Sequence, residues 1–232
     1  MIDKFWNTDD KLFAAARKEL FTAVVGDAMD KMNLLHQFLP PKIQPLKDDM
    51  FLIGRAMTVL EADTFEELSP NSQNPLMGKP FGLMLEALDD LKKNEVYICS
   101  GSSPNYALVG ELMMTRAKVL GAAGAVANGY SRDTNEILDL KFPVFSYGRY
   151  AQDQAPRGKV IDFRVPIEMD GVRINPGDII VGDIDGVCVV PKAHEEEVFL
   201  RAFEKARGEK TVLKAIQNGM SAVDSWNKYQ IM

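Results

Sequence analysis

Residues 95–147 read EVYICSGSSPNYALVGELMMTRAKVLGAAGAVANGYSRDTNEILDLKFPVFSY, and this stretch decides the fold. Short apolar runs at 95–99, 125–127 and 144–147 have the length of strands. Between them, 111–120 and 134–138 have helical spacing, so the order is strand, helix, strand, helix, strand. Alternation of this kind predicts a parallel or mixed sheet covered by helices.

Working upstream, 83–91 reads as one more helix. The segment 66–81 carries Pro70, Pro75 and Pro80 among Asn and Ser residues and predicts a long irregular connection. Residues 51–60 predict a strand, and Pro40, Pro41 and Pro45 predict the loop before it. At the start, 8–32 reads as helical, capped by Asp9 or Asp10 and broken near Phe21 and Thr22.

Downstream of Gly158 the pattern changes to short β runs. Asp170-Gly171, Asn175-Pro176-Gly177 and Asp185-Gly186 punctuate them and predict antiparallel hairpins. A final helix over 194–217 has Val198, Phe199, Ala202, Phe203 and Ala206 on one face, and Gly219 stops it. No repeat or linker divides the chain. The expectation is a single α/β domain over residues 1–232, with N-terminal helices, a mixed sheet and a C-terminal helical extension from about residue 194.

Composition narrows the function. With 27 basic and 33 acidic residues, a net charge of −6 and a mean hydropathy of −0.13, the chain is not built to neutralise phosphates or lie on anionic lipid. A nucleic-acid partner is not expected. The opening MIDKFWNTDDK has no apolar signal core, and no run approaches the ~20 apolar residues of a membrane span. Cys99 and Cys188 sit inside apolar runs and read as buried thiols, which fits a reducing cytoplasm.

Histidine is scarce: the chain has only His36 and His194, which argues against a nucleophile triad or a histidine-rich zinc site. Any metal would be a hard cation on oxygen ligands. The glycines near 101 match neither phosphate-loop spacing nor a dinucleotide fingerprint. More telling is Gly110, which opens a helix directly after a loop and directs free N–H groups and a positive dipole end into that loop. Either an anion such as a small carboxylate belongs there, or Gly110 serves only a tight turn with Glu111 complementing the dipole. A second loop, Asn128-Gly129-Tyr130-Ser131-Arg132-Asp133, leaves the strand at 125–127. In an open α/β sheet it should lie beside the Gly110 loop, though Arg132 and Asp133 also read as a surface pair. Asp183 and Asp185 read as turn residues, and Glu195, Glu196 and Glu197 as partners of a helix dipole.

At this point the motifs GELM (110–113), RD (132–133), FPVFSYG (142–148), INPGDIIVGDIDGVCVVP (174–191) and GMSAVDSWNKYQI (219–231) resemble a known family. It is that of the 4-hydroxy-4-methyl-2-oxoglutarate aldolases and the related regulators of ribonuclease E activity. The resemblance implies a β/β/α swivelling-type domain assembled as a homotrimer or a pair of trimers, with sites between subunits. It implies substrate contacts at Gly110, Glu111, Leu112, Met113 and Arg132, and Asp133 as the ligand of a divalent cation, Mg²⁺ or else Mn²⁺. Arg132 and Glu111 become the catalytic residues, and Glu209 the contribution of a neighbouring subunit. The implied reaction is metal-dependent cleavage of a 4-hydroxy-2-oxo acid to pyruvate, with oxaloacetate decarboxylation beside it. The alternative is a non-catalytic regulator that binds ribonuclease E or another protein, and the acidic residue at 111, generally lacking in the regulators, favours the enzyme. The chain departs from the pattern at Asn128, where the aldolases commonly have Asp, and residues 65–81 have no counterpart in it.

Overall fold

The computed structural model describes residues 2–64 and 73–231. Helices α1 (Asp9–Glu19) and α2 (Thr22–Asp30) come first, broken where the sequence predicts. Thr8, rather than Asp9 or Asp10, caps α1 by accepting the Lys11 N–H at 3.3 Å. Asp183 supplies the corresponding acceptor for α2, taking the Thr22 N–H at 2.6 Å, so it does more than shape a turn.

The middle of the chain contains β1 (Gln44–Pro45), β2 (Leu52–Asp63), α3 (Met84–Asp90), β3 (Glu95–Ser100), β4 (Ala107–Val109), α4 (Glu111–Val119), β5 (Gly124–Ala127), β6 (Tyr130–Ser131), α5 (Thr134–Leu140) and β7 (Val144–Ser146). The expected alternation is present, with two additions: β4 and β6 are short strands in stretches that read as loops. The antiparallel part follows as β8 (Gly158–Phe163), β9 (Ile167–Met169), β10 (Val172–Ile174), β11 (Ile179–Asp183) and β12 (Gly186–Val190). Helices α6 (Glu195–Gln217) and α7 (Ala222–Tyr229) end the chain, α7 lying beyond the Gly219 stop. Of the irregular connection expected at 66–81, residues 66–72 lie outside the described residues, and Pro75–Gly78 forms a short 3-10 turn.

Among the described residues the main sheet has the order β1-β7-β5-β3-β2-β11-β12, with β8 also pairing the far half of β2. Strands β2, β3, β5 and β7 run parallel, and β11, β12, β8 and β1 run antiparallel to their neighbours. The proline-rich segment nearly closes the sheet. Leu39 N–H donates to Val187 O at one edge, and Leu46 N–H donates to Val144 O at the other.

Both faces of the sheet are covered, which explains the unbroken apolar runs in β11 and β12. Ile179, Val181, Cys188 and Val190 pack against α1, α2 and α6, whereas Ile180, Val187 and Val189 turn to the larger core beneath α3, α4 and α5. Arg55 of β2 ties the first layer together, donating to Asp9 of α1 at 2.6 and 2.9 Å and to Glu195 of α6. Glu195 is therefore an ion-pair partner as well as a complement to the α6 dipole. Among the described residues no helix is long and apolar enough to cross a membrane.

An acidic side chain lies deep in the larger core. Glu61 of β2 is fully buried, and its Oε2 accepts the Gln154 Nε2–H at 2.8 Å. Its Oε1 has no hydrogen-bond partner among the described residues. Burial disfavours the charged form and pushes its pKa up to about 8 against the nearby Cys99 thiol, with Asp63 adding in the same direction. An acid raised on folding stabilises the native state below its unfolded pKa, and that stability is lost as pH rises towards the folded value. Glu61→Gln should therefore gain on the wild type between about pH 5 and 8, by up to roughly 1 kcal/mol per pH unit. Urea unfolding at three pH values measures the difference, and parallel pH profiles would contradict it.

Candidate active site

Two strand-to-helix crossovers build the site. After β3 the chain passes through β4 and Gly110 into α4; after β5 it passes through β6, Arg132 and Asp133 into α5. Strands β4 and β6 pair in parallel, with Ala107 opposite Tyr130 and Val109 opposite Ser131. Arg132 N–H donates to Val109 O at 3.0 Å, which sets the two helix starts side by side. The segment after β7 completes the rim: Ala107 N–H donates to Gln152 O at 2.8 Å and Tyr150 N–H to Ser131 O at 2.9 Å.

Asp133 stands at the N-cap of α5, with a left-handed backbone at φ 56°, and makes no cap bond to its own helix. Its carboxylate reaches across instead, and Oδ2 accepts the Glu111 N–H of α4 at 3.2 Å. Gly110 makes room for this approach, since a Cβ there would lie 2.7 Å from Asp133 Oδ2. The N–H groups of Leu112 and Met113 make no hydrogen bond among the described residues, so they and the positive end of α4 remain available to an anion.

Arg132 lies between two carboxylates, with Nη1 at 3.0 Å from Asp153 Oδ1 and Nε at 3.6 Å from Asp133 Oδ2. These groups share a cavity of about 410 Å³. Gly110, Leu112, Met113, Arg132 and Asp133 all line it, so five of the expected site residues converge. The Glu111 side chain is not part of the lining; its Oε1 accepts from Thr115 Oγ1 at 3.5 Å. Glu209 pairs with Lys205 at 2.9 Å on α6 and lines a different cavity beside Phe21 and Ile216. Asn128 is also absent from the lining. Its Nδ2–H donates to Ser100 Oγ at 2.9 Å, and its Oδ1 accepts from the Tyr147 hydroxyl. A neutral amide suits that pair of bonds.

Among the described residues no three His, Cys, Asp or Glu side chains gather to hold a metal ion. The donor set nonetheless fits Mg²⁺ or Mn²⁺: Asp133 and Asp153 offer hard oxygens to the cavity, Asp133 Oδ1 carries no hydrogen bond among the described residues, and magnesium takes one or two protein carboxylates and fills its shell with water and substrate. Asp153 and Gln154 carry no recognisable motif. The signal that leads to them is topological: β7 neighbours β5 in parallel, so its outgoing loop belongs at the same sheet end.

Comparison with known proteins agrees with this architecture. Residues 22–189 match the family model RraA-like, Aldolase/RraA. A Halalkalibacterium halodurans protein, provisionally named 4-hydroxy-4-methyl-2-oxoglutarate aldolase, is 30% identical over 88% of this chain and 89% of its own. A solved structure from Pseudomonas syringae pv. tomato is 26% identical, covers 95% of this chain and 99% of its own, and superposes with a TM-score of 0.77. Streptomyces coelicolor RraAS2, an unusual member of the RNase ES inhibitor RraA family, shares the fold at 20% identity, with a TM-score of 0.73 over 90% of this chain and 98% of its own. The matched model spans both crossovers and the β11–β12 hairpin, and the chain belongs to the RraA-like, Aldolase/RraA family.

Proposed function

We propose that this protein is a divalent-metal-dependent lyase that cleaves a 4-hydroxy-2-oxo acid to pyruvate, with oxaloacetate decarboxylation as a second outlet of the same chemistry. The observation that carries the reading is the convergence of the α4 N-terminus, Arg132 and Asp133 on one cavity. The provisional name of the Halalkalibacterium relative supports the same reaction class. The buried, unbridged thiols of Cys99 and Cys188 agree with a reducing, cytoplasmic setting.

The reaction breaks a C3–C4 bond and leaves its electron pair on the pyruvyl half as an enolate. The site must therefore hold a carboxylate and meet negative charge developing on the 2-oxo oxygen. The Leu112 and Met113 N–H groups take the carboxylate, aided by the α4 dipole. Arg132, held between Asp133 and Asp153, turns its guanidinium to the oxo oxygen. Asp133, with Asp153 beside it, would hold the divalent ion. When bound, that ion supplies Lewis-acid polarisation of the oxo group and neutralises developing charge. The C4 hydroxyl proton goes to a carboxylate, for which Glu111 and Glu209 of a neighbouring copy are the candidates. Within one chain Glu111 faces Thr115 and Glu209 lies in a separate cavity, so this step belongs to the proposed homotrimer or pair of trimers.

Asp133→Asn should fold normally, because the amide oxygen still accepts from Glu111 N–H, yet lose Mn²⁺ binding and metal-dependent pyruvate release. Calorimetric titration and a lactate dehydrogenase-coupled assay check both, and unchanged Mn²⁺ affinity would remove Asp133 as a ligand. Arg132→Lys keeps the charge but loses the planar fork, and its kcat should fall ~10²–10³-fold, the scale of one lost oxyanion donor. Near wild-type turnover in that variant would place Arg132 outside the reacting centre.

A further inference from the structure

Glu61 is an unfavourable residue for its place in the fold. It projects from β2 into the larger core, where its Oε1 is buried with no hydrogen-bond partner among the described residues. An apolar side chain there would leave no carboxyl oxygen unsatisfied, and incomplete pairing of a buried polar group lowers stability. The other oxygen leads out of the core to the site. Oε2 accepts the Gln154 Nε2–H at 2.8 Å, and Gln154, itself buried, lines the cavity beside Asp153. The backbone continues the connection: Gln154 O accepts the N–H groups of Arg157 and Gly158, and Thr64 N–H donates to Arg157 O at 2.8 Å. Residues 154–158 are thereby fastened to the far half of β2.

Asp153 depends on that anchor. In its ion pair with Arg132 the aspartate side chain is 45% exposed and the arginine 37%, and solvated pairs of this kind fix little by themselves. Arg132 meets its other carboxylate, Asp133, only at 3.6 Å. The direction of the guanidinium therefore follows the place of Asp153, and Asp153 follows Gln154. Glu61 and Gln154 meet inside the core of one chain, so a neighbouring copy at the cavity mouth leaves their bond unchanged.

We propose that Glu61 is a positioning residue for the site: through Gln154 it holds Asp153 where Arg132 is aimed at an anion on the α4 N-terminus. It touches neither substrate nor cation. This role rests on Arg132 as the anion-binding group of the lyase reading, whichever bond is then cleaved.

Calorimetry with oxalate in the presence of Mg²⁺ tests it. Glu61→Met, of similar length but without an acceptor, should weaken oxalate binding roughly tenfold, the lower end of the ~10–100-fold that supporting partners of a site contribute. Glu61→Gln still offers Gln154 a carbonyl oxygen and should bind as the wild type does. In a Gln154→Met background, where the bond is already gone, Glu61→Met should change the affinity less than about twofold. Urea unfolding should find the double variant, whose core pair is apolar, at least as stable as the wild type although its affinity stays low. Wild-type affinity in Glu61→Met, weak binding by Glu61→Gln, equal losses in both backgrounds, a loss of affinity that only tracks loss of stability, or no oxalate binding by the wild type would overturn the role. If Glu61→Met alone does not fold, the double variant carries the test, and wild-type affinity there overturns it. Pyruvate release separates this role from the reaction: the expected affinity series with no metal-dependent pyruvate from the wild type would sink the lyase reading and leave the positioning role standing.

Discussion

Asp133 gives its carboxylate to the wrong helix. Standing at the start of α5, it accepts the first N–H of α4, at a helix start where Gly110 has no side chain to do so. This one bond joins the ends of two crossovers and holds a negative charge beside a positive helix terminus. It requires the parallel β4–β6 pairing beneath it, the left-handed backbone of Asp133 and the bare Cα of Gly110. Arg132 then falls between Asp133 and Asp153, and the three charged side chains share one cavity.

The surrounding fold keeps this arrangement rigid. The sheet is covered on both faces and nearly closed by the segment that contains Pro40, Pro41 and Pro45. Arg55 joins α1, β2 and α6 through Asp9 and Glu195, well away from the cavity. Glu61 lies nearer, since its partner Gln154 lines the cavity next to Asp153. A buried acid in the core thus holds one of the loops that form the site.

Much of this was legible in the residues. The alternation over 95–147 has its periodicity written in runs long enough to read, and Gly110, Arg132 and Asp133 fall where strand-end loops meet in such sheets. Strands β4 and β6 were not legible because two or three residues carry no period. Thr8 lost the reading of the α1 cap to two adjacent aspartates, although all three are good capping residues. Asp153 and Gln154 sit in a loop without a motif, and their role depends on a tertiary bond from Ala107 to Gln152. The part of the cavity lined by Phe81, Met84 and Leu88 could not be read at all, because Phe81 and the start of α3 are placed by hydrogen bonds to Val160 of β8, far along the chain.

The central claim is that the α4 N-terminus, Arg132 and Asp133 form one site for a small carboxylate and a divalent cation. A crystal structure with Mn²⁺ and oxalate, a planar stand-in for the enolate of pyruvate, tests it most directly through the anomalous signal of manganese. The account predicts manganese on Asp133 and an oxalate carboxylate on the Leu112 and Met113 N–H groups, within reach of Arg132. Manganese bound elsewhere, or oxalate outside this cavity, would contradict it.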